Sequence, residues 1–306
     1  GITMPNMENF RAFVLAAELG SFSAAARQMG KAQSAVSTAI ANLEIDADVQ
    51  LFDRSGRNPV LTEAGTALLA NANGILLGNQ EFLARATSMS QGVEGHLRVA
   101  IEQGISIKPL LNLLRDFSSN FAHVSLEIVT PDPIDMAALL KQGRAELGLM
   151  IEQESYPTGF QFRGVGYSRT VPVAARDHPL TSLAQVRHAD LRKYRELVPQ
   201  SRPTAQAGRP GHRKSPSVWY AENPMLVLEL VMQGFGWAEL PYSIIADRLA
   251  TGELAQLNYA FQQSDILQGV DAVWTEQRAL GVAGQWMLNK LLELPQDVWR
   301  EGEQVT

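Results

Sequence analysis

The sequence predicts a small, helix-rich N-terminal domain, one long connecting helix and a larger α/β domain. Three observations carry that fold class. Residues 21–45 read as two short helices meeting at Gly30. Leu68, Ile75, Phe82 and Met89 repeat every seven residues. From His96 onward, strand-like apolar runs alternate with helical segments, an order that implies a parallel sheet with helices on its faces.

Residues 6–19 read as a first helix, with Phe10, Phe13, Val14, Ala17 and Leu19 as its inward stripe and Gly20 as its stop. In 21–45, Ser21 or Ser23 caps the next helix, because a hydroxyl accepts from an orphan backbone N–H. Ala25, Ala26 and Met29 recur at helical spacing, and the small alanines let another helix approach. Gly30 ends that helix in the left-handed conformation that glycine adopts without a Cβ penalty. The following helix buries Val36, Ile40 and Leu43, while its other face begins Gln33, Ser34, Ser37, Thr38. Leu51–Arg54 and Pro59–Leu61 form a hairpin, or wing, across Ser55-Gly-Arg-Asn58.

Thr62 caps a helix running to about Gln91, some 45 Å long at 1.5 Å per residue. Its seven-residue stripe, with Ala72, Asn79 and Ala86 as the second seam position, is a coiled-coil pattern. The stripe packs either on the chain's own core or on a second chain. The second reading is preferred, because a helix joining two domains has little else to cover it.

Gly92-Val-Glu-Gly95 reads as a hinge. Strands follow at 96–101, 124–129 and 147–151, with helices at 109–117 and 134–142 between them. A second set has a strand at 171–175, a helix near 191–196, a strand near Val218, a helix at 224–232 and a strand near Trp237. A last strand and helix fall at 270–274 and 284–292.

Composition narrows the function. The absence of cysteine excludes disulfides, thiolate metal sites and cysteine redox sensing. The five histidines are scattered without ligand spacing, so no metal is expected. Neither a Gly-x-Ser-x-Gly elbow nor a phosphate-loop glycine motif occurs, so no catalytic residue and no cofactor is assigned. No apolar run approaches membrane length. Gly1-Ile-Thr3 reads as a cloning remnant ahead of a native start at Met4 or Met7, and no signal peptide follows, which argues for the cytoplasm.

A small polar face on the second helix of such a pair suits the DNA major groove, where base edges show distinct donor and acceptor patterns. Gln33 is the best base reader, since an amide can bond an adenine edge through two hydrogen bonds. Ser34, Ser37 and Thr38 lie beside it for bases or phosphates, with Ser21, Ser23, Arg27 and Lys31 flanking. The charge is unusual for a DNA binder: −6 overall, with six basic against eight acidic residues in 1–92. Phosphates must then be met by a few placed cations and by helix N-termini.

Several short motifs now stand in order: Phe13-Val14, Gly20-Ser-Phe-Ser-Ala-Ala-Ala26, Gln33-Ser-Ala-Val-Ser37, Leu43-Glu44, Leu51-Phe-Asp-Arg54 and Leu61-Thr-Glu-Ala-Gly65. Together they resemble the N-terminal domain of the LysR-type transcriptional regulators. Gly234-Phe-Gly-Trp-Ala-Glu-Leu-Pro241 is similar to that family's glycine-rich turn into a strand. The resemblance implies a winged helix-turn-helix over 4–62, a linker and dimerisation helix over 63–91, and an effector domain over 92–300. That domain would be two-lobed, of the periplasmic-binding-protein type, with lobe I at about 95–165 and 268–300 and lobe II at about 166–267. It also implies that Arg54 and Arg57 in the wing meet DNA backbone and minor groove. Two features depart from the family: Ala32 stands where a hydroxyl usually caps the reading helix, and no basic residue follows Ser37 by a turn. Glu239 is a third, and it either rejects anionic effectors or pairs with an arginine.

In open α/β sheets ligands sit outside the carboxyl ends of strands. Gly104, Ile105, Ser106, Thr130 and Pro131 are therefore expected at the effector site, with Gln200, Ser201, Phe235 and Gly236 facing them by resemblance. Helix N-termini there suit an anion, most simply a carboxylate. The basic run Arg209, His212, Arg213, Lys214 reads as a solvated loop, with a nucleic-acid arm as the alternative. Expected partners are duplex operator DNA, a small effector, RNA polymerase and further copies of the chain in a dimer of dimers. Two other readings fit part of the chain. One is a solute-binding or transfer enzyme with a fused DNA anchor, and the other is a constitutive regulator without an effector.

Overall fold

The computed structural model describes residues 4–199 and 213–300. The chain divides into two compact units, Gly1–Gln91 and Gly92–Thr306.

The first unit comprises α1 (Met7–Leu19), α2 (Phe22–Met29), α3 (Gln33–Ala47), the antiparallel pair β1 (Phe52–Asp53) and β2 (Val60–Leu61), and α4 (Glu63–Ser90). Asn6, Ser21 and Thr62 each cap a helix by accepting a backbone N–H, and Gly20 and Gly30 close α1 and α2 with φ of 68° and 66°. Phe13, Ala16, Ala25, Val36, Ile40, Leu43 and Phe52 form the core. Phe52 meets Phe13 and Phe22 edge-to-face, at 5.8 and 5.2 Å, which locks the wing onto α1 and α2. Gly65 lets α4 pass so close to the wing that a Cβ there would run into the Leu51 carbonyl. The inward row of α1 is Asn9, Ala12, Phe13 and Ala16; Ala17 is only half-buried, and Leu19, in the last turn, is 44% exposed.

α4 has two apolar faces. Leu69, Ala72 and Leu76 pack into the first unit's core, and Asn79 lines a groove with α1 residues Met7, Arg11 and Leu15. The buried Ala72 therefore serves the chain's own packing rather than the seam expected of it, while Asn79 stays exposed. Leu68, Ile75, Phe82 and Met89 are exposed, Phe82 by 70%.

In the second unit come β3 (His96–Ile101), α5 (Leu111–Asn120), β4 (Ser125–Val129), α6 (Pro133–Lys141), β5 (Leu147–Ile151) and β6 (Phe160–Ala175). After them are α7 (His188–Leu191), β7 (Glu196–Pro199), β8 (Val218–Ala221), α8 (Pro224–Met232), β9 (Ala238–Pro241), α9 (Tyr242–Thr251), β10 (Leu254–Gln256), β11 (Ile266–Thr275) and α10 (Val282–Leu292). The main sheet runs β10-β6-β11-β5-β3-β4, with β9 also on β6. β3 is parallel to β4 and β5, but β11 is antiparallel to both β5 and β6. The parallel pairing expected of the strands at 96–101, 124–129 and 147–151 is thus present, and the antiparallel β6 and β11 make the sheet as a whole mixed. β6 starts against β11 and ends against β9 and β10, so β6 leads out of one lobe and β11 leads back. One core gathers Leu97, Val99, Phe117, Leu149, Met287 and Leu291, and another gathers Val171, Val173, Leu197, Val227, Leu240 and Ile245.

Other expectations failed locally. No helix spans 191–196: α7 ends at Leu191 and Glu196 opens β7. The buried Glu196 carboxylate accepts the backbone N–H groups of Lys214 and Ser215, which suits it to a strand end against a loop. α9, β7 and β10 had not been anticipated. Glu94, read as part of a hinge, accepts the N–H groups of Ala283 and Gly284 at 2.8 Å each and so caps α10, whose own N-cap residue is Gly281.

Candidate functional site

Two places in the molecule carry recognition chemistry, one in each unit. In the first unit, α2 and α3 meet at Gly30 and the next residues leave α3 with its first turns outward. Gln33, Ser34 and Thr38 are exposed and Ser37 half-buried, while Val36 and Ile40 point inward. Ala32 gives α3 no side-chain cap, so the N-terminal N–H groups there are suited to an external acceptor such as a phosphate. Ser21 is committed to capping α2, and the Ser23 hydroxyl lies 2.9 Å from that of Ser21.

The cations are unequal. Lys31 is paired with Glu8 on α1. Arg54 bonds Glu44 at 3.1 and 3.4 Å and lies over the Phe22 ring. Glu44 also accepts the N–H groups of Leu51 and Phe52, so this carboxylate ties α3 to the wing and holds Arg54. Arg27 and Arg57 are exposed, with no carboxylate partner among the described residues.

In the second unit a cavity of about 180 Å³ opens where the two lobes meet. Lobe I supplies Glu102, Gln103, Gly104, Ile105, Asp132 and Ile151 to it, and lobe II supplies Pro224, Glu239 and Pro241. Ser168 and Thr170 on β6 and Gln268 on β11 form its floor of hydroxyls and amide. Gly104 has a φ of 93°, and a Cβ on it would sit 2.9 Å from the Pro241 ring, so glycine permits the lobes' close approach here.

Three carboxylates line this cavity. Glu102, 5% exposed, accepts the Ile151 N–H at 3.2 Å, and burial pushes its carboxyl up to about 7. Asp132 caps α6 through the Ile134 N–H at 3.1 Å. Glu239 accepts the Tyr259 hydroxyl at 2.9 Å and pairs with Lys214 at 3.0 Å. Its partner is thus a lysine, not an arginine.

The expected effector residues divide. Gly104 and Ile105 line the cavity. Ser106, Thr130 and Pro131 are not among its lining residues, and local turn bonds engage the Ser106 hydroxyl oxygen and the Thr130 and Pro131 carbonyls. The Lys108 N–H donates to Ser106 Oγ, and Gln103 donates its backbone N–H to Pro131 and its side-chain amide to Thr130. Phe235 and Gly236 also lie elsewhere: Phe235 packs on Trp219 at 5.6 Å, and Gly236 makes room for the Arg195 carbonyl. Gln200, Ser201, Arg209 and His212 fall outside the described residues. Glu102, Asp132, Ser168, Thr170 and Gln268 line the cavity and were not among the expected residues. Glu102 was legible in principle, as an acidic residue at the very end of an apolar strand, Leu97–Ile101. Among the described residues no cluster of His, Asp and Glu could hold a metal, and no helix is long and apolar enough to cross a membrane.

A winged helix-turn-helix followed by a two-lobed domain with a cavity between its lobes defines a DNA-binding regulator that senses a small molecule. Comparison with known proteins gives the family. Residues 7–66 match the bacterial regulatory helix-turn-helix of the lysR family, and residues 90–296 match the LysR substrate binding domain. The chain belongs to the LysR-type transcriptional regulators. It is 28% identical to the HTH-type transcriptional regulator AceR of Acinetobacter baumannii, over 93% of this chain and 95% of that one. It is 30% identical to the multiple virulence factor regulator MvfR of Pseudomonas aeruginosa, over 85% of this chain and 78% of that one. Among solved structures, a mutant of OxyR from Corynebacterium glutamicum shares the fold with a TM-score of 0.55, at 22% identity over 97% and 95% of the two chains.

Proposed function

We propose that α3 reads operator bases through Gln33, with Ser34, Ser37 and Thr38 on bases or adjacent phosphates, and that Arg27 and Arg57 hold the DNA backbone. The outward, uncapped first turn of α3 carries this reading. Gln33→Ala should relax preference at one operator position, since a two-bond amide–adenine pair discriminates by about 1–3 kcal/mol. Arg57→Ala should weaken all sequences alike. A competition shift assay in which both variants lose selectivity equally would refute this division.

The cavity lined by Glu102 and Glu239 is the effector site in this reading, and effector binding alters how paired DNA heads engage the operator. Such coupling needs an effector with different affinity for two states. The cavity binds rather than catalyses. The proposed boundaries are 4–62 for the winged domain, 63–91 for the linker helix and 92–300 for the effector domain. The exposed row Leu68, Ile75, Phe82, Met89 pairs with a second chain, and two such pairs make the tetramer. Operator DNA as partner places the protein in the cytoplasm.

A further inference from the structure

The lining of the effector cavity has a definite sign. Its charged members are Glu102, Asp132 and Glu239, and no lysine or arginine is among its described lining residues. The rest are neutral: Gln103, Ser168, Thr170 and Gln268 offer amides and hydroxyls, and Ile105, Ile151 and four prolines offer apolar walls. The anion expected from the strand-end position would have to sit beside Glu102, whose described hydrogen-bond partner is neutral, so this lining does not favour it.

The three carboxylates are not equally satisfied. Lys214 and Tyr259 already serve Glu239, and the start of α6 engages Asp132. Glu102 is almost fully buried, and its one resolved hydrogen bond comes from the neutral Ile151 N–H. Among the described residues the groups around it are acidic or uncharged: Asp132 from α6, and the Tyr156 hydroxyl bonded at 2.5 Å to Asp271 of β11. A buried carboxylate without a cation is costly in the ionised state, and a cation brought by a ligand removes that cost.

We propose that the effector is a small organic cation whose ammonium group pairs with Glu102, its apolar body lying between the proline walls. This rests on the cavity being the effector site. The cavity, about 180 Å³, has room for a short alkylammonium. Binding takes up the ionised form of Glu102. Affinity therefore falls as pH drops below about 7, approaching tenfold per unit.

The test is a thermal shift on the full chain with n-butylammonium chloride, 1,4-butanediammonium dichloride or sodium butyrate, each against sodium chloride of equal ionic strength. An ammonium salt should raise the melting temperature, more at pH 8 than at pH 6, and butyrate should not. The shift should vanish in Glu102→Gln, each variant being compared with its own ligand-free state. Ser168→Trp, which fills the cavity floor, separates the two readings. A butyrate shift abolished by Ser168→Trp keeps the cavity as the effector site and overturns the cationic ligand. A shift that survives Ser168→Trp overturns the cavity itself. No shift from either ammonium salt, or an ammonium shift unchanged in Glu102→Gln, overturns the pairing proposed for Glu102.

Discussion

Buried acids set their own pH window, and Glu102 illustrates the sign. Folding raises its carboxyl from 4.5 to about 7, chiefly by desolvation, so the folded chain holds this proton more firmly than the unfolded chain. Stability is therefore lost as pH rises through that window, and the deficit is complete above about 7. Glu102→Gln should stabilise the ligand-free protein at pH 8, by up to about 3 kcal/mol at about 1.4 kcal/mol per unit, and change little at pH 4. Denaturant melts at the two pH values check this; equal effects at both would show that Glu102 does not titrate there. Arg54 poses a second residue-scale question. Its bonds to Glu44 make it a brace between α3 and the wing. Arg54→Ala should then lower both melting temperature and DNA affinity, whereas Arg57→Ala, at the exposed wing tip, should lower affinity alone. Ser106 shows why such assignments are hard from sequence. A hydroxyl before a proline-started turn reads as a cleft donor, yet here its oxygen accepts the Lys108 N–H of that turn.

Elements were most legible where local chemistry alone decides them. α2 begins and ends where Ser21 and Gly30 dictate, and α4 begins where Thr62 dictates, since caps and left-handed glycines act within a few residues. β6 was less legible. Its first part, Phe-Gln-Phe-Arg-Gly-Val-Gly-Tyr-Ser-Arg, carries polar residues and glycines, and Gly166 is required because the Trp299 indole occupies the space of a Cβ. That requirement comes from a partner more than a hundred residues away, which no local pattern reports. The cap on α10 is similar: Glu94 and Gly284 are far apart in sequence. Glu94→Ala frees two helix N–H groups and should cost about 1–2 kcal/mol in the second unit, read as an earlier melting transition with the α-helical first unit unaffected. The outer row of α4 makes a parallel prediction. Ile75→Asp with Phe82→Asp would bury unpaired charges if these exposed side chains meet a second chain. Sedimentation should then show smaller species and weak operator binding. An unchanged distribution would mean that the row faces solvent.

Across the whole molecule, the α/β alternation of the second unit and the helical first unit were legible from periodicity, but the sheet's mixed pairing was not. Strand order depends on β6 and β11 pairing over a separation of about a hundred residues, and sequence pattern carries no direction for such a pair. Charge, by contrast, is a whole-molecule property that can be read and tested. The net charge is −6, and the first unit is itself slightly acidic, so DNA binding cannot rest on a broad basic field. It must rest on a few contacts, and the structure divides the candidates: Arg27 and Arg57 are available, while Lys31 and Arg54 are held by Glu8 and Glu44. On a two-headed site, two cations per head neutralise about four phosphates, and the logarithm of affinity should fall with the logarithm of salt at a slope of about −3.6. If Lys31 and Arg54 leave their carboxylates for DNA, the count doubles and the slope approaches about −7. Fluorescence anisotropy across a salt series distinguishes these, and the shallower slope is expected. Glu8→Gln releases Lys31 from its acidic partner, so it should steepen the slope by about two units for the two heads without altering which operator positions are preferred. A steep slope in the parent that Glu8→Gln leaves unchanged would mean that the pair with Glu8 already opens on DNA.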